Sequence, residues 1–394
     1  MRFRLAQPRF LALLLALLLV WQTTAAAAPT GSSSAAPRPR TSLRNTSGKT
    51  AKTAVVKPSK KKTSTRGRRG VPTYADSTAE DIVEYDDPVV RQAAVNALGR
   101  YNGSVVAIDP NTGRILTVVN QKLAFSEGFI PCSTIKPVIA LAALEQNMIT
   151  RDTMLRVSRR SYMNLTEAMA HSNNPFFEEL GRRMGFPTVQ HYARLMGIGE
   201  LAGYNIPEEH PGALPLEPPM RGGVARMSSF GEGIQVTPLQ LGSLAATFAN
   251  GGTLYYLQYP RSEEDRRNFA PRVKRKLNIE PLLPELREGM LASVLYGTGR
   301  PSYDPNGDLS LGKTGTCSDS KSRLGWFVSY ADWMRPRIVL VVLLRGNTRR
   351  VKGGTAAEVA GRIYHFLHER NYFAKNGGLV GSASDPVFSG SRPD

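Results

Sequence analysis

A serine and a lysine three positions apart, at the start of a helix-length apolar run, constrain this chain more than any other stretch. Ser133 and Lys136 precede Pro137, and an apolar run from Val138 to Leu144 follows. Residues three apart share one face of a helix, and proline is tolerated only in the first helical turn. The sequence therefore predicts a helix that begins close to Ser133, with its hydroxyl at the positive end of the helix dipole and beside an amine that could remove its proton.

The Ser-x-x-Lys pattern alone is weak, because the chain contains it four times, at Ser59, Ser133, Ser310 and Ser318. Only Ser133 is followed by a helix-length apolar segment. The alternative interpretation of Ser133 is a cap on a core helix. A lysine that acts as a base must be neutral, which burial and a second cation favour, so a further lysine is expected downstream.

The N-terminus has the pattern of an export signal. Arg2, Arg4 and Arg9 precede an uncharged run from Phe10 to Trp21, and small residues follow up to Ala28. This pattern predicts that residues 1–28 are a secretory signal peptide or an uncleaved N-terminal membrane anchor formed by residues 10–28. The protein is therefore expected to act outside the cytoplasm, in the periplasm or an equivalent space.

Residues 29–76 are predicted to be a disordered linker rich in Ser, Thr and Pro. Twelve lysines and arginines lie between Arg38 and Arg69, so the linker carries +12 of the formal net charge of +19. The three arginines of the signal carry another +3, which leaves +4 for the rest of the chain. The basic composition therefore gives no indication of nucleic-acid binding. The linker is expected to contact anionic lipid or wall polymer weakly, or to be a solvated spacer.

Residues 77–371 are long enough for one large domain, and residues 372–394 are predicted to be a disordered Gly/Ser tail. Strands are predicted near both ends of this domain and helices in its middle, which indicates an α+β sheet with an inserted all-helical region. The predicted helices are 88–98, 165–184, 238–249 and 355–370, and the predicted strands are 104–108, 114–119, 324–330 and 337–344.

Two further motifs follow the first. Ser172-Asn173-Asn174 lies within the stretch predicted to be helical around His171 to Met184, where a helix cap before Pro175 is the alternative interpretation. Lys313-Thr314-Gly315 precedes the C-terminal strands and supplies the expected second cation. Residues 307–314 also match the P-loop pattern, but a P-loop needs a helix after it and a strand is predicted there instead.

In this order, Ser133-x-x-Lys136, Ser172-x-Asn174 and Lys313-Thr314-Gly315 are the trio typical of penicillin-binding proteins and class A β-lactamases. The sequence resembles the penicillin-binding transpeptidase family over nearly all of residues 77–371. The resemblance extends to the stretches 103–110, 112–116, 237–241, 249–252 and 297–300. It implies an antiparallel five-stranded sheet with helices on both faces and an inserted helical region.

The resemblance also implies the roles of the motif residues in acyl transfer from D-Ala-D-Ala stem peptides of peptidoglycan, with β-lactams as covalent inhibitors. Ser133 would be the nucleophile and Lys136 its base, and the backbone N–H groups of Ser133 and Thr316 would form the oxyanion hole. The remaining roles are a proton relay through Ser172, a contact of Asn174 with Lys136 and the substrate amide, a charge on Lys313 that keeps Lys136 neutral, and binding of the terminal carboxylate by Thr314, Gly315 and Thr316.

The resemblance calls for no metal or cofactor, and the five histidines show no convergent metal-ligand spacing. A glycosyltransferase is a further expected partner, because the chain has no room for such a domain of its own. Glu232 stands where the family usually has glutamine, between Gly231 and Gly233, so any role carried over to that position is in doubt.

The chain's two cysteines flank the motifs. Cys132 precedes Ser133 and Cys317 follows Thr316. Class A carbapenemases carry a disulfide between the same relative positions, so the resemblance suggests a Cys132–Cys317 bridge in an oxidising compartment. The alternative is two free, buried thiols.

The interpretations of function are a D,D-transpeptidase, a D,D-carboxypeptidase when water is the acceptor, a serine β-lactamase, or a non-catalytic β-lactam sensor or wall-binding scaffold. The Glu-x-x-Leu-Asn loop with which class A β-lactamases deacylate is not found between Asn174 and Lys313. This disfavours rapid hydrolysis of an acyl-enzyme. The three intact motifs favour an enzyme, with the transpeptidase first.

Overall fold

A five-stranded antiparallel sheet is the frame of the computed structural model, which describes residues 70–331 and 335–376. Along the chain the strands are β1 (Gly103–Ile108), β2 (Ile115–Val119), β3 (Leu155–Arg156), β4 (Tyr162–Met163), β5 (Thr253–Tyr255), β6 (Val273–Lys276), β7 (Ser310–Ser318), β8 (Arg323–Ala331) and β9 (Ile338–Gly346). The sheet order is β2-β1-β9-β8-β7, which pairs the N-terminal hairpin with the last strand of the chain.

Helices cover both faces of this sheet. They are α1 (Pro88–Leu98), α2 (Gln121–Phe125), α3 (Lys136–Glu145), α4 (Leu165–Ala170), α5 (Asn174–Leu195), α6 (Gly223–Phe230), α7 (Pro238–Ala249), α8 (Glu263–Arg267), α9 (Leu283–Leu295), α10 (Gly353–Glu369) and α11 (Tyr372–Asn376). Short 3-10 turns occur at Cys132–Ile135, Glu280–Leu282 and Arg300–Ser302. The predicted α+β class with its antiparallel five-stranded sheet is therefore confirmed.

The sheet separates two hydrophobic cores. Strand β9 is buried along its whole length, as its unbroken apolar run requires of a strand covered on both faces. On one face α1 and α10 pack, with Val359, Ile363 and Leu367 of α10 buried. On the other face α3 and the fully buried α7 pack. This second core lies directly behind the Ser133 segment.

Local sequence signals account for the helix ends that were predicted most closely. Asp87 caps α1, and its Oδ1 accepts hydrogen bonds from the backbone N–H groups of Val89 and Val90, both at 3.0 Å. Thr237 and Gln240 form a reciprocal capping box at the start of α7. Both helices have the predicted bounds.

The middle of the chain differs from the prediction in two ways. The inserted region is not all helical, because it contains the two-stranded sheets β3–β4 and β5–β6. The predicted helix 165–184 is interrupted between α4 and α5. At the break Ser172 has a left-handed backbone with a φ of 54°, a conformation that cannot continue a helix.

The predicted domain boundaries also need correction. The linker was expected to reach residue 76, but Thr73 hydrogen-bonds the segment 347–348 and Tyr74 forms an isolated β-bridge with Tyr101. The tail was expected from residue 372, but Tyr372 begins α11 and donates a hydrogen bond to Asp87 Oδ2 at 2.7 Å. These aromatic and hydroxyl side chains attach both ends to the domain.

The predicted signal or anchor, most of the linker and residues 377–394 lie outside the described residues. Within residues 70–331 and 335–376, no helix is both long and apolar enough to span a bilayer. The same residues contain no group of three or more His, Cys, Asp or Glu side chains that could hold a metal ion.

Candidate active site

The Ser133 segment forms a tight turn that leads directly into α3. Residues Cys132–Ile135 make a 3-10 turn, and the backbone N–H of Lys136 donates to the carbonyl of Ser133. Pro137 lies at the start of α3, where its missing N–H costs no hydrogen bond. Ser133 is partly exposed, whereas both neighbours along the chain are buried. The predicted helix start is thus correct, with a 3-10 first turn.

Lys136 is fully buried and its amine is held by the second motif. Its Nζ lies 2.6 Å from the carbonyl oxygen of Ser172, 3.1 Å from Ser172 Oγ and 2.7 Å from Asn174 Oδ1. The carbonyl and amide oxygens can only accept, so they take two N–H hydrogens of the amine. A neutral amine then still has its lone pair for a hydroxyl proton.

The turn between α4 and α5 aims this second motif at Lys136. The left-handed conformation of Ser172 turns the chain, and Asn173 then caps α5 by accepting from Phe176 N–H at 3.0 Å. Asn174 is the first residue of α5. The cap before Pro175 is therefore Asn173. Capping is done by the middle residue of the motif, which leaves the side chains of the other two for Lys136.

Lys313 is buried on β7 and donates to the carbonyl of Thr314 at 3.1 Å. Burial lowers its pKa to about 7. The pKa of Lys136 lies well below its usual value, first because of burial and second because of the charge on Lys313, while Glu178 opposes the shift. Two ammonium groups in one desolvated site repel each other, so the lowest-energy state leaves Lys136 neutral.

The rest of the third motif lies between the Ser133 turn and α10. The hydroxyls of Thr314 and Thr298 are 2.6 Å apart, and the exposed Thr316 accepts a hydrogen bond from Gly353 N–H at 2.8 Å. A Cβ on Gly315 would come within 3.0 Å of Pro131 O and 3.2 Å of Thr134 Cγ2. The space for a larger residue is therefore tight where β7 passes the Ser133 turn.

A disulfide fixes this approach. Cys132 and Cys317 are bonded, with their Cα atoms 5.7 Å apart, so the structure contains the suggested bridge. Cys132 has a left-handed backbone with a φ of 54°, and Trp326 Nε1 donates to Ile130 O at 3.1 Å just before it. The residue before Ser133 is thus joined covalently to the residue after Thr316.

The structure adds residues to which sequence reasoning gave no role. Thr298 belongs to the stretch 297–300, whose resemblance was noted without a function. Gly353 and Glu178 had no recognisable signal, because they meet the site only through the fold. Glu232 forms an ion pair with Arg226 at 2.9 Å. The residue before Glu232 is Gly231, where a Cβ would come within 2.4 Å of Pro131 Cγ.

The P-loop alternative does not fit the structure. Residues 310–314 lie inside β7, and β7 continues to Ser318 and turns into β8. Since no helix follows the glycine and lysine, their surroundings lack the helix N-terminus with which a P-loop binds phosphate.

The arrangement defines the class of site: a serine at a helix start, a buried lysine held by a Ser-x-Asn turn, and a Lys-Thr-Gly strand, on an antiparallel sheet with helices on both faces. Such a site suits acyl transfer through a serine. The family model of the penicillin-binding protein transpeptidase domain matches residues 103–365. The chain therefore belongs to the penicillin-binding protein transpeptidase domain family.

Several curated proteins are similar to this chain. Stage V sporulation protein D of Bacillus subtilis (strain 168) is 28% identical over 324 residues, covering 68% of this chain and 50% of that protein. The peptidoglycan D,D-transpeptidase MrdA of Acinetobacter baumannii is 25% identical over 350 residues, covering 69% and 52%. The peptidoglycan D,D-transpeptidase FtsI of Escherichia coli (strain K12) is 26% identical over 302 residues, covering 66% and 50%. The chain spans about half the length of these relatives.

Proposed function

We propose that this protein is a peptidoglycan D,D-transpeptidase that cross-links D-Ala-D-Ala stem peptides through an acyl-Ser133 intermediate and is covalently inhibited by β-lactams. The observation that carries the proposal is the buried Lys136 amine, held by Ser172 and Asn174. A buried lysine with no carboxylate in contact is costly unless it is neutral, and a neutral amine is the base that a serine nucleophile needs. Family membership and the names of the relatives support the same reaction.

In the first step Lys136 takes the Ser133 proton as Oγ attacks the carbonyl of the penultimate D-Ala. The proton passes through Ser172 to the amine of the leaving D-Ala, which breaks the peptide bond and leaves the acyl-serine ester. The backbone N–H groups of Ser133 and Thr316 stabilise the oxyanion. Loss of one such donor costs roughly 3–4 kcal/mol in acyl-transfer enzymes.

The third motif would bind the terminal carboxylate of the stem peptide. Thr316 already accepts from Gly353 N–H, so its own O–H is available to donate. The hydroxyl of Thr314 is shared with Thr298. Lys313 keeps Lys136 neutral before the Ser133 proton is removed, and it polarises Ser172.

In the second step the amine of another stem peptide attacks the ester and restores Ser133. With water as acceptor the same site is a D,D-carboxypeptidase. A serine β-lactamase is the further alternative, and the missing Glu-x-x-Leu-Asn loop disfavours it. The reaction would take place outside the cytoplasm, with residues 10–28 as a membrane tether if they are not cleaved, and with a glycosyltransferase supplying glycan strands.

Intact-protein mass spectrometry after incubation with penicillin tests the proposal. We expect a stable adduct of one penicillin on the wild type and none on Ser133→Ala. Wild-type protein that consumes penicillin while its adduct vanishes within minutes would indicate a β-lactamase. Absence of an adduct on the folded wild type would contradict acyl transfer and favour a scaffold.

A further inference from the structure

Five cations cluster at the end of the sheet that carries Thr316. They lie in the turn between β7 and β8, at the first residue of β8 and in the loop between β9 and α10, and we call them the basic surface: Lys321, Arg323, Arg349, Arg350 and Lys352. Four are exposed and Arg323 is partly buried. The acid in this turn is Asp319, whose Oδ1 accepts from the backbone N–H groups of Lys321 and Ser322 at 2.7 and 2.6 Å.

These cations are not neutralised within the described part of the chain. The ion pairs found in residues 70–331 and 335–376 include none of the five. Arg323 Nε is buried without a hydrogen-bond partner among those residues. By contrast, the exposed helical arginines Arg182 and Arg267 each pair with an acid one turn earlier in their helix. The basic surface thus presents an excess of positive charge to an external anion.

The basic surface is continuous with the candidate active site. Gly325 pairs with Thr316 across β7 and β8, and a Cβ on Gly325 would come within 2.6 Å of the Lys352 backbone. The next residue, Gly353, donates its N–H to Thr316 Oγ at 2.8 Å. An anion bound by Thr316 therefore lies beside the loop that carries Arg349, Arg350 and Lys352.

The chain also enters the domain here. Val71 N lies 3.5 Å from Lys321 O, and a Cβ on Gly70 would lie 3.5 Å from the same oxygen. Gly70 and Val71, the first residues that the structure describes, therefore lie against the turn that carries Lys321.

We propose that the basic surface binds the carboxylates of stem peptides that neighbour the reacting one on an uncross-linked peptidoglycan strand. This inference rests on the proposed function. It assumes that the site acts on this polymer, and it adds where the unreacted part of the polymer would bind. Each stem peptide carries free carboxylates, so a strand is a polyanion of evenly spaced charges. A guanidinium binds a carboxylate with two parallel hydrogen bonds.

Continuity with Thr316 favours this ligand over an anionic membrane. A membrane would meet the basic surface without any contact at Thr316, whereas a strand with one stem peptide in the site holds its other carboxylates close to the site and to the adjacent loop. Electrostatic attraction of this kind acts mainly on association and is screened by salt. The basic surface should therefore raise the rate on a strand at low salt and contribute little to chemistry on a small substrate.

Arg349→Gln/Arg350→Gln tests this inference, with Arg266→Gln/Arg267→Gln on α8 as the matched control. Both double variants remove two adjacent exposed arginines, and the control pair binds Glu263 rather than facing an unpaired surface. Turnover is measured on uncross-linked strands with many stem peptides and on one soluble pentapeptide, at low and high salt, together with the rate of Ser133 acylation by penicillin.

We expect the 349/350 variant to lose about three- to tenfold in kcat/KM on strands at low salt. Its turnover of the pentapeptide and its penicillin acylation should stay within about twofold of wild type, and the control should match wild type throughout. Equal strand turnover of variant and wild type at low salt would overturn the inference. So would an equal loss on strands and with penicillin, because that would mean a disturbed site.

Binding separates the two proposals. Ser133→Ala protein cannot react, so its cosedimentation with uncross-linked strands reports binding without turnover, and the 349/350 change in that background should weaken it. Cosedimentation with vesicles rich in phosphatidylglycerol but not with strands would overturn the inference in favour of a membrane contact. A missing penicillin adduct would instead overturn the proposed function.

Discussion

Removing the Cys132–Cys317 bridge should lower the stability of the domain substantially. The bridge closes a loop with a sequence separation of 185 residues. For a loop of this length the chain-entropy relation gives about 5 kcal/mol at 25 °C, and measured values for native disulfides are about 2–5 kcal/mol. The variant Cys132→Ala/Cys317→Ala, or reduction of the wild type, should therefore lower the free energy of unfolding by about 2–5 kcal/mol.

Urea unfolding followed by tryptophan fluorescence measures this change. With an m value of about 3 kcal/mol per M, the midpoint should fall by about 0.7–1.7 M. The double alanine variant is its own control, because a reductant should leave its midpoint unchanged. If thiol titration finds two free thiols in reduced wild type and its midpoint moves by less than about 0.2 M, the loop-closure reasoning is wrong. Two free thiols in denatured, unreduced protein would show that the bridge does not form.

Two further predictions concern the third motif. Lys313→Met removes the charge that helps to lower the Lys136 pKa. Acylation needs neutral Lys136, so the acylation rate falls as the pH falls through the Lys136 pKa. Because the variant raises that pKa, the ascending limb of its acylation profile should move to higher pH. At a fixed pH on that ascending limb, the penicillin acylation rate should fall roughly tenfold for each unit by which the Lys136 pKa rises, and an unmoved limb would contradict the role of Lys313. Gly353→Ala would place a Cβ 2.8 Å from Gly315 O and from Thr314 Cβ, so it should destabilise the domain by about 1–3 kcal/mol. Gly354→Ala meets nothing nearer than Pro301 Cγ at 3.8 Å and should change thermal stability by less than about 1 kcal/mol in either direction; equal midpoints for the two variants would refute the packing argument.

The helices that the sequence predicts accurately are those whose ends are determined by residues close to them in the sequence. The Asp-Pro start and Gly end of α1, and the capping box of α7, depend on residues within one turn of the helix. The order of the strands in the sheet does not depend on such local residues. Pairing of β1 with β9 joins residues more than 200 positions apart, and local patterns contain no information about that partner.

The second motif shows the same limit inside the site. The apolar spacing from Leu165 to Met184 predicts an unbroken helix, whereas Pro175 and a helix cap before it favour a new helix start. The left-handed turn at Ser172 is favoured by the local Asn173 cap of α5 and by a contact that forms only in the fold, the hydrogen bond from the buried Lys136 amine to the Ser172 carbonyl. Tertiary hydrogen bonds to a buried amine therefore outweigh the local helical preference.

The third motif lies on a strand at the edge of the sheet. β7 is the last strand in the sheet order, so its outer edge has no neighbouring strand among the described residues. Exposed strand edges are usually a liability, because they can pair with other chains. The Ser133 turn packs against β7 at Gly315, where an added Cβ would come within 3.0 Å of Pro131 O, and the disulfide holds that turn in place. An extended peptide can add to the edge of β7 as a further strand. The proposed substrate would thus cover the edge that the fold leaves open, with its reacting carbonyl delivered to Ser133.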